Sequence, residues 1–234
     1  RMTELNLAPA RIDVGKLVSA ARASGSELIA HVDEALASGC GEAKASSEPA
    51  DVVLYGFGRI GRLLARMLVN KVGGGQKARL RAVVVRPKGG ADLARRASLL
   101  RRDSVHGPFA GSIDLDHENN EFIINGNRVK LLYANAPEEI DYTEHGINNA
   151  VIIDNTGKWR DREGLGRHLK ARGASRVLLT APAKGDIPNI VFGVNSDDID
   201  PDETIYSAAS CTTNAVVPPL AVIDAEFGIQ SGHI

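Results

Sequence analysis

The segment Ser210-Cys211-Thr212-Thr213-Asn214 sets a single cysteine among small hydroxyl and amide side chains. Glu203 to Tyr206 before it reads as a short strand. After it, Ala215 to Val217 and Leu220 to Ile223 place apolar residues at helical spacing, which predicts a helix beginning near Thr212. Cys211 therefore stands at a helix N-terminus, where unpaired N–H groups and the positive end of the helix dipole favour thiolate over thiol. Nucleophilic attack through a covalent intermediate is the chemistry that suits such a sulfur. The plainer reading is a small buried apolar residue, as most free cysteines are.

A second group of residues suits a phosphate-bearing ligand. Val52 to Tyr55 is a continuous apolar run of the kind found in buried parallel strands, and it ends in Gly56-Phe57-Gly58-Arg59-Ile60-Gly61. Leu63, Leu64, Met67 and Leu68 then fall at helical spacing until Gly73-Gly74-Gly75, and a second strand follows from Leu80 to Val85. Strand, G-x-G-x-x-G, helix and strand form the dinucleotide-binding fingerprint: one glycine for the tight turn, one for close approach of pyrophosphate, one for helix–strand packing. The phosphates would lie on the helix N-terminus. An NAD site places Asp or Glu at the end of the second strand for the ribose 2′-hydroxyl, whereas this strand runs into Arg86-Pro87-Lys88, which suits a 2′-phosphate. NAD or NADP is thus the expected cofactor, and the glycine-rich turn that binds nothing is the bland alternative.

The elements that must position these groups read as α/β. Residues 3–36 predict two helices, one with Ile12, Leu17, Val18 and Ala21 on one face, the other with Leu28, Ile29, Val32, Ala35 and Leu36, separated by Ser24-Gly25-Ser26. Gly39 to Pro49 reads as a linker. A basic helix spans Leu93 to Arg102. From Gly111 to Tyr133 the pattern alternates, with a hairpin signal at Asn125-Gly126, predicting an antiparallel insertion. Parallel character returns with a strand at Ala150 to Ile153, a helix from Asp161 to Arg172 and a strand from Arg176 to Thr180. In an open parallel sheet ligands gather at the carboxyl ends of strands, so Gly56 to Gly61, Arg86, Asn155-Thr156, Ala181-Pro182 and Cys211 are expected to converge on one cleft. The fold class is a Rossmann-type doubly wound parallel sheet with an antiparallel insertion, divided into a helical extension (1–50), a dinucleotide-binding domain (51–209) and the start of a catalytic domain (210–234).

Ser-Cys-Thr-Thr-Asn resembles the active-site signature of the phosphorylating glyceraldehyde-3-phosphate dehydrogenases. The resemblance runs from about Asp51 to Ile234. Asp103-Ser104-Val105-His106-Gly107-Pro108-Phe109 is similar to that family's D-S-x-H-G-x-F segment, and Ile190 to Asn195 to its strand ending in G-V-N. The family implies Cys211 as nucleophile, Ser210, Cys211 and Thr212 as substrate and phosphate contacts, and Arg59 and Ile60 as cofactor contacts; Asn214 could hold the turn. His106 is expected to be structural. Arg86 stands where NAD-dependent members carry Asp, Asn135 where many carry Arg, Asn155 where many carry Ser, and Ala215 where some carry a second cysteine.

What the resemblance implies is oxidation of a phosphorylated aldehyde with inorganic phosphate, through a thioester, in glycolysis or gluconeogenesis, by a homotetramer. The family's base is a histidine a little under thirty residues after the cysteine, which falls just past Ile234. His233 stands in the strand leading up to that segment. The 234-residue chain by itself is expected to bind dinucleotide without turnover. An erythrose-4-phosphate dehydrogenase and a non-catalytic NAD(P)-binding module are the rival readings.

Net charge of −1 argues against nucleic acid or a membrane surface as partner, and no apolar run is long enough to span a bilayer. Cys40 and Cys211 are far apart, with no metal-ligand spacing and no disulfide framework, so a reducing cytoplasm is the expected location.

Overall fold

A computed structural model describes residues 14–25, 27–37, 49–71, 78–87 and 92–233. Ile12, Ser26, Cys40, most of the expected linker, the triple glycine at 73–75 and Lys88 lie outside the described residues. In chain order the elements are α1 (Val14–Ser24), α2 (Leu28–Leu36), β1 (Ala50–Tyr55), α3 (Arg59–Lys71), β2 (Ala78–Val85), α4 (Asp92–Arg101), β3 (Arg102–Asp103), β4 (Gly107–Pro108), β5 (Ile113–Asp116), β6 (Glu121–Ile124), β7 (Asn127–Tyr133), β8 (Ala150–Asp154), α5 (Arg162–Gly166), β9 (Ala174–Leu179), β10 (Ile205–Ser207) and α6 (Cys211–Phe227).

Two compact units are present. One holds α1, α2 and the described residues of 67–79; the other holds those of 51–66 and 80–234. In the first, α1 and α2 pack together, with Ala21 buried and the chain between them turning at Gly25, φ +66°. The apolar face expected of α2 is covered only in part: the helix has no buried residue, Val32 and Leu36 are half-buried, and Leu28 and Ile29 are exposed.

The second unit is built on an eight-stranded sheet of order β10-β9-β8-β1-β2-β7-β6-β5. The pairs β10–β9, β9–β8, β8–β1 and β2–β7 are parallel, while β5–β6 and β6–β7 are antiparallel. The six strands from β7 to β10 have the order of a Rossmann-type doubly wound sheet, and the hairpin β5–β6 extends its β7 edge. From β1 the chain steps outward through β2 to β7 and then returns to β8 on the other side of β1. That reversal opens a crevice at the carboxyl ends of β1 and β8.

The continuous apolar run of β1 is explained by its central place: Val52 to Tyr55 are all buried. Val53, Tyr55, Val84, Tyr142 and Ile152 share one core cluster, and Leu165, Val177, Leu179, Ile187 and Ile205 another. Each fully buried side chain of this size contributes roughly 1.5–3 kcal/mol. In the antiparallel edge the half-polar alternation holds the register, with Glu121 opposite Lys130 and bonded to both Lys130 and Arg128.

Two expected elements differ. The helix expected over 161–172 is only the five residues of α5, followed by a 3-10 turn at His168–Lys170. Gly164 lies so close to Trp159 that a Cβ would fall 2.9 Å from it, and glycines 164 and 166 are poor helix formers. Ile190 to Asn195 is not a strand. Asn189 alone bridges to Ser207, and Asn195 folds back to bond Val191 N and Asn189 O. Gly232 and His233 likewise lie outside any strand.

Arg162 joins α5 to the approach of β10, donating Nη1 and Nη2 to the Glu203 carboxylate at 3.1 and 2.9 Å. Those bonds pull the Glu203 carboxyl from its ordinary 4.5 down to about 2. A depressed carboxyl contributes stability that is present above its unfolded value and lost as pH falls through its folded one. Glu203→Gln should therefore melt below the parent at neutral pH, with the gap closing between pH 4.5 and about 2; a gap that widens on acidification would contradict the pairing.

Candidate functional site

Gly56, Gly58 and Gly61 occupy three different environments. Gly56 has φ +95°, and a Cβ there would meet Thr156 Cγ2 at 2.9 Å. A Cβ on Gly61 would lie 2.4 Å from the Gly56 carbonyl oxygen, so the start of α3 packs directly on the turn. A Cβ on Gly58 would meet nothing within 4 Å. The turn is thus closed on its protein side and open where a ligand would lie, which is how a pyrophosphate cradle is built.

The turn is fixed from both neighbouring strands. Gly56 N donates to Val84 O on β2, and Asn155 N donates to Tyr55 O on β1. Asn155 Nδ2 also reaches Gly56 O. Asp154, with no exposed surface, accepts from Thr156 N and Oγ1, both at 2.7 Å, and from His168 Nε2 at 2.9 Å. His168 is equally buried, its Nδ1 unpartnered, with the rings of Tyr55 and Trp159 standing edge-on to it. Burial first, and then the Asp154 charge, push the Tyr55 phenol up to about 12, so it stays neutral.

A cavity of ≈390 Å³ lies at these strand ends. Of the expected cofactor contacts it gathers Gly56, Gly58, Arg86, Asn155 and Thr156, and adds Arg96, Asn135, Lys158 and Trp159. Arg59, Ile60 and Gly61 do not line it. Arg59 is instead engaged by Asp103 at 3.2 Å and Ser104 at 2.9 Å, Ile60 is half exposed, and Gly61 packs beneath the turn. Asp103 also closes its own loop, accepting from Val105 N and His106 N and pairing with the His106 ring, and its carboxyl is held low first by those backbone N–H groups. Trp159 is the chain's single tryptophan, with Lys158 Nζ 4.5 Å above its ring. Only the basic character of α4 hinted at Arg96, and nothing marked Trp159.

The cysteine segment lies at the same carboxyl edge, beyond the cavity lining. Ser207, fully buried, donates Oγ to Ala181 O at 2.7 Å, and Ala208 N bonds Leu179 O, so the end of β10 runs along the end of β9. Ala209 follows with φ +58°, a left-handed conformation that is strained for alanine. The sharp turn puts Ser210 at the N-cap of α6, accepting from Thr213 N at 2.9 Å, and Cys211 at its first residue, one earlier than expected and exposed. Asn214 Nδ2 ties Ala208 O and Ser210 O, holding the turn. Ala181, Pro182, Ser210, Cys211 and Thr212 are absent from the cavity lining, so the structure places them beside the cleft rather than in its wall.

The glycine environments differ enough to separate by melting. Gly61→Ala forces a backbone clash and should cost about 1–3 kcal/mol, seen as a lower thermal midpoint, while Gly58→Ala leaves the midpoint little changed. Equal melting of the two variants would contradict the packing described.

Residues 50–162 match the family described as glyceraldehyde 3-phosphate dehydrogenase, NAD binding domain. A glyceraldehyde-3-phosphate dehydrogenase-like protein of Pseudomonas aeruginosa is 55% identical over 236 residues, covering 100% of this chain and 51% of that protein. Glyceraldehyde-3-phosphate dehydrogenase A, chloroplastic, of Zea mays is 40% identical over 181 residues, or 77% of this chain and 43% of that protein. The glyceraldehyde-3-phosphate dehydrogenase of Thermotoga maritima is 37% identical over 185 residues, 79% of this chain and 52% of that protein. The chain spans about half the length of the curated relatives it matches. Sheet order, glycine turn and these matches agree: the chain belongs to the glyceraldehyde-3-phosphate dehydrogenase family.

Proposed function

We propose that the cleft at Gly56–Gly58, Asn155 and Thr156 holds a nicotinamide dinucleotide, NAD or NADP, and that the protein oxidises glyceraldehyde 3-phosphate to 1,3-bisphosphoglycerate. The observation that carries this reading is the placement of an open glycine turn and a helix-start cysteine at the carboxyl edge of one parallel sheet. The cleft fits the cofactor: its turn is open at Gly58, and among the described residues Arg86, Arg96 and Lys158 line it without a carboxylate.

Bound there, a nicotinamide supplies a two-electron acceptor for hydride. The Cys211 sulfur, once deprotonated, adds to the aldehyde carbon to give a hemithioacetal alkoxide, and collapse of that alkoxide would pass the C–H hydride to the acceptor and leave a thioester. An oxygen of inorganic phosphate attacks the thioester carbon; the C–S bond breaks, the acyl phosphate departs and Cys211 is restored. The N–H groups of Cys211 and Thr212 precede the first intrahelical bond, Asn214 N to Ser210 O at 3.0 Å, and are the donors for the oxyanion. Ser210 and Thr212 flank the sulfur as substrate and phosphate contacts, with Ser210 Oγ already fixed by Thr213.

Residues 210–234 are read as the beginning of the catalytic domain. α6 has no buried residue and exposes Val222, Ile223 and Phe227, which supports that reading. Residues 51–209 are the dinucleotide-binding domain on the same reading, residues 1–50 a helical extension, and the assembly a homotetramer, as the family implies.

The test is turnover by the full-length protein with glyceraldehyde 3-phosphate, inorganic phosphate and either dinucleotide. Phosphate-dependent reduction of the dinucleotide, lost by about a thousandfold or more in Cys211→Ser, is expected. Faster turnover of erythrose 4-phosphate would reassign the substrate. No turnover of either aldehyde, with iodoacetamide labelling Cys211 no faster than a model thiol, would instead favour a cofactor-binding module.

A further inference from the structure

Among the described residues, the charged side chains lining the cleft are Arg86, Arg96 and Lys158, all cationic, with no carboxylate to take a ribose 2′-hydroxyl. Lys158 follows β8 and stacks over Trp159, at the end of the cleft away from β2. Arg86 directly follows β2, and Arg96 comes from α4, so both belong to the side where the second strand of a dinucleotide fold meets the adenosine ribose.

The two arginines are prepared differently. Arg86 is exposed, and among the described residues it makes no hydrogen bond or ion pair. Arg96 is largely buried, with a side-chain exposure of 13%, and its Nε donates to Asp92 Oδ2 at 2.8 Å. The Asp92 carboxylate, 4% exposed, also accepts from Arg95 Nη2 at 2.9 Å. Burial alone would raise the Asp92 carboxyl, but the hydrogen bonds of Arg96 and Arg95 outweigh it and hold the group ionised below its ordinary range. Asp92, Arg95 and Arg96 together keep a net positive charge, and the single bond through Nε leaves both Nη groups of Arg96 free to donate. A guanidinium fixed in this way binds a phosphate through two parallel hydrogen bonds at low entropic cost.

We infer that Arg96, set in place by Asp92, acts with Arg86 as a clamp for the 2′-phosphate of NADP, making the cleft selective for NADP over NAD. This rests on the reading of the cleft as a dinucleotide site. Arg86 supplies an adaptable cation from the strand end, and Arg96 a rigid fork from α4. At that position NAD offers only a neutral 2′-hydroxyl. Asp92 is a positioning residue: it touches no ligand and acts by orienting the Arg96 guanidinium.

The experiment is titration of the purified protein with NAD and NADP, read by the emission of Trp159, which lines the cleft and needs no turnover. The parent should bind NADP at least about tenfold more tightly than NAD, the ratio one charge-assisted contact gives. Arg96→Ala should weaken NADP by about tenfold or more and NAD by less than about twofold. Arg96→Lys, which keeps the charge but loses the fork, should lie between, and Asp92→Asn should weaken NADP alone. Arg86→Ala provides a variant at an exposed, unpartnered position, so loss of NADP preference there is free of any folding defect. Equal effects of these substitutions on the two dinucleotides, or a parent that prefers NAD, overturn the clamp while leaving the dinucleotide site intact. Failure of the parent to bind either dinucleotide overturns the site itself, and the clamp with it.

Discussion

A carboxylate sealed from water at the end of β8 is what the rest of the site depends on. Asp154 has no exposed surface, and such a charge is tolerated only where its hydrogen-bonding capacity is met. His168 meets one oxygen and the backbone and hydroxyl of Thr156 the other, while the Asp154 carbonyl receives Thr180 N and Oγ1. Asp154 also lies in register with Tyr55 of β1 and Leu179 of β9. One residue therefore locks the carboxyl ends of three adjacent strands, and with them the direction in which Asn155 and Thr156 leave β8. Thr156 then fills the space that only a glycine at position 56 allows.

From that lock the site extends in both directions along the sheet edge. Toward β2, Gly56 N bonded to Val84 O sets the turn, and Arg86 and Arg96 follow at its margin. Toward β10, Thr180 bonds Asn155, Ser207 bonds Ala181, and the left-handed Ala209 delivers Ser210 and Cys211 to the start of α6. Backbone strain at Ala209 is stored beside the proposed nucleophile and is held by the buried hydroxyl of Ser207, which accepts from Ala209 N at 3.0 Å. Cofactor cleft and cysteine are thus positioned by one continuous set of strand-end hydrogen bonds rather than by separate loops.

Local pattern made most of the fold legible. The apolar run Val52 to Tyr55, the glycine spacing after it and the Asn125-Gly126 turn are short-range signals, and β1, the turn into α3 and the β6–β7 hairpin follow them. The helix expected over 161–172 stops after Gly166, where glycines 164 and 166 weaken it and a 3-10 turn at His168–Lys170 takes over, a break that the apolar spacing does not carry. The segment at 190–195 has strand-like residues, yet after Ile190 N bonds Ser207 O of β10 the Asn195 side chain takes Val191 N and Asn189 O, and the pairing goes no further. Within the site, Gly56, Gly58, Arg86, Asn155 and Thr156 were legible because each sits at a strand end. Arg96 and Trp159 were not, because α4 and the 157–161 loop reach the cleft only through tertiary folding. Arg59, expected at the cofactor, is drawn away by Asp103, a partner forty-four residues along the chain.

One ligand-binding cleft lies at the switch point between β1 and β8, and amide hydrogen exchange with and without saturating dinucleotide reads it out. Protection concentrated at Gly56–Gly61 and Asn155–Trp159, with the antiparallel edge β5–β6 unchanged, is the predicted result. Protection that leaves both segments untouched while the dinucleotide is bound would place the site elsewhere on the molecule.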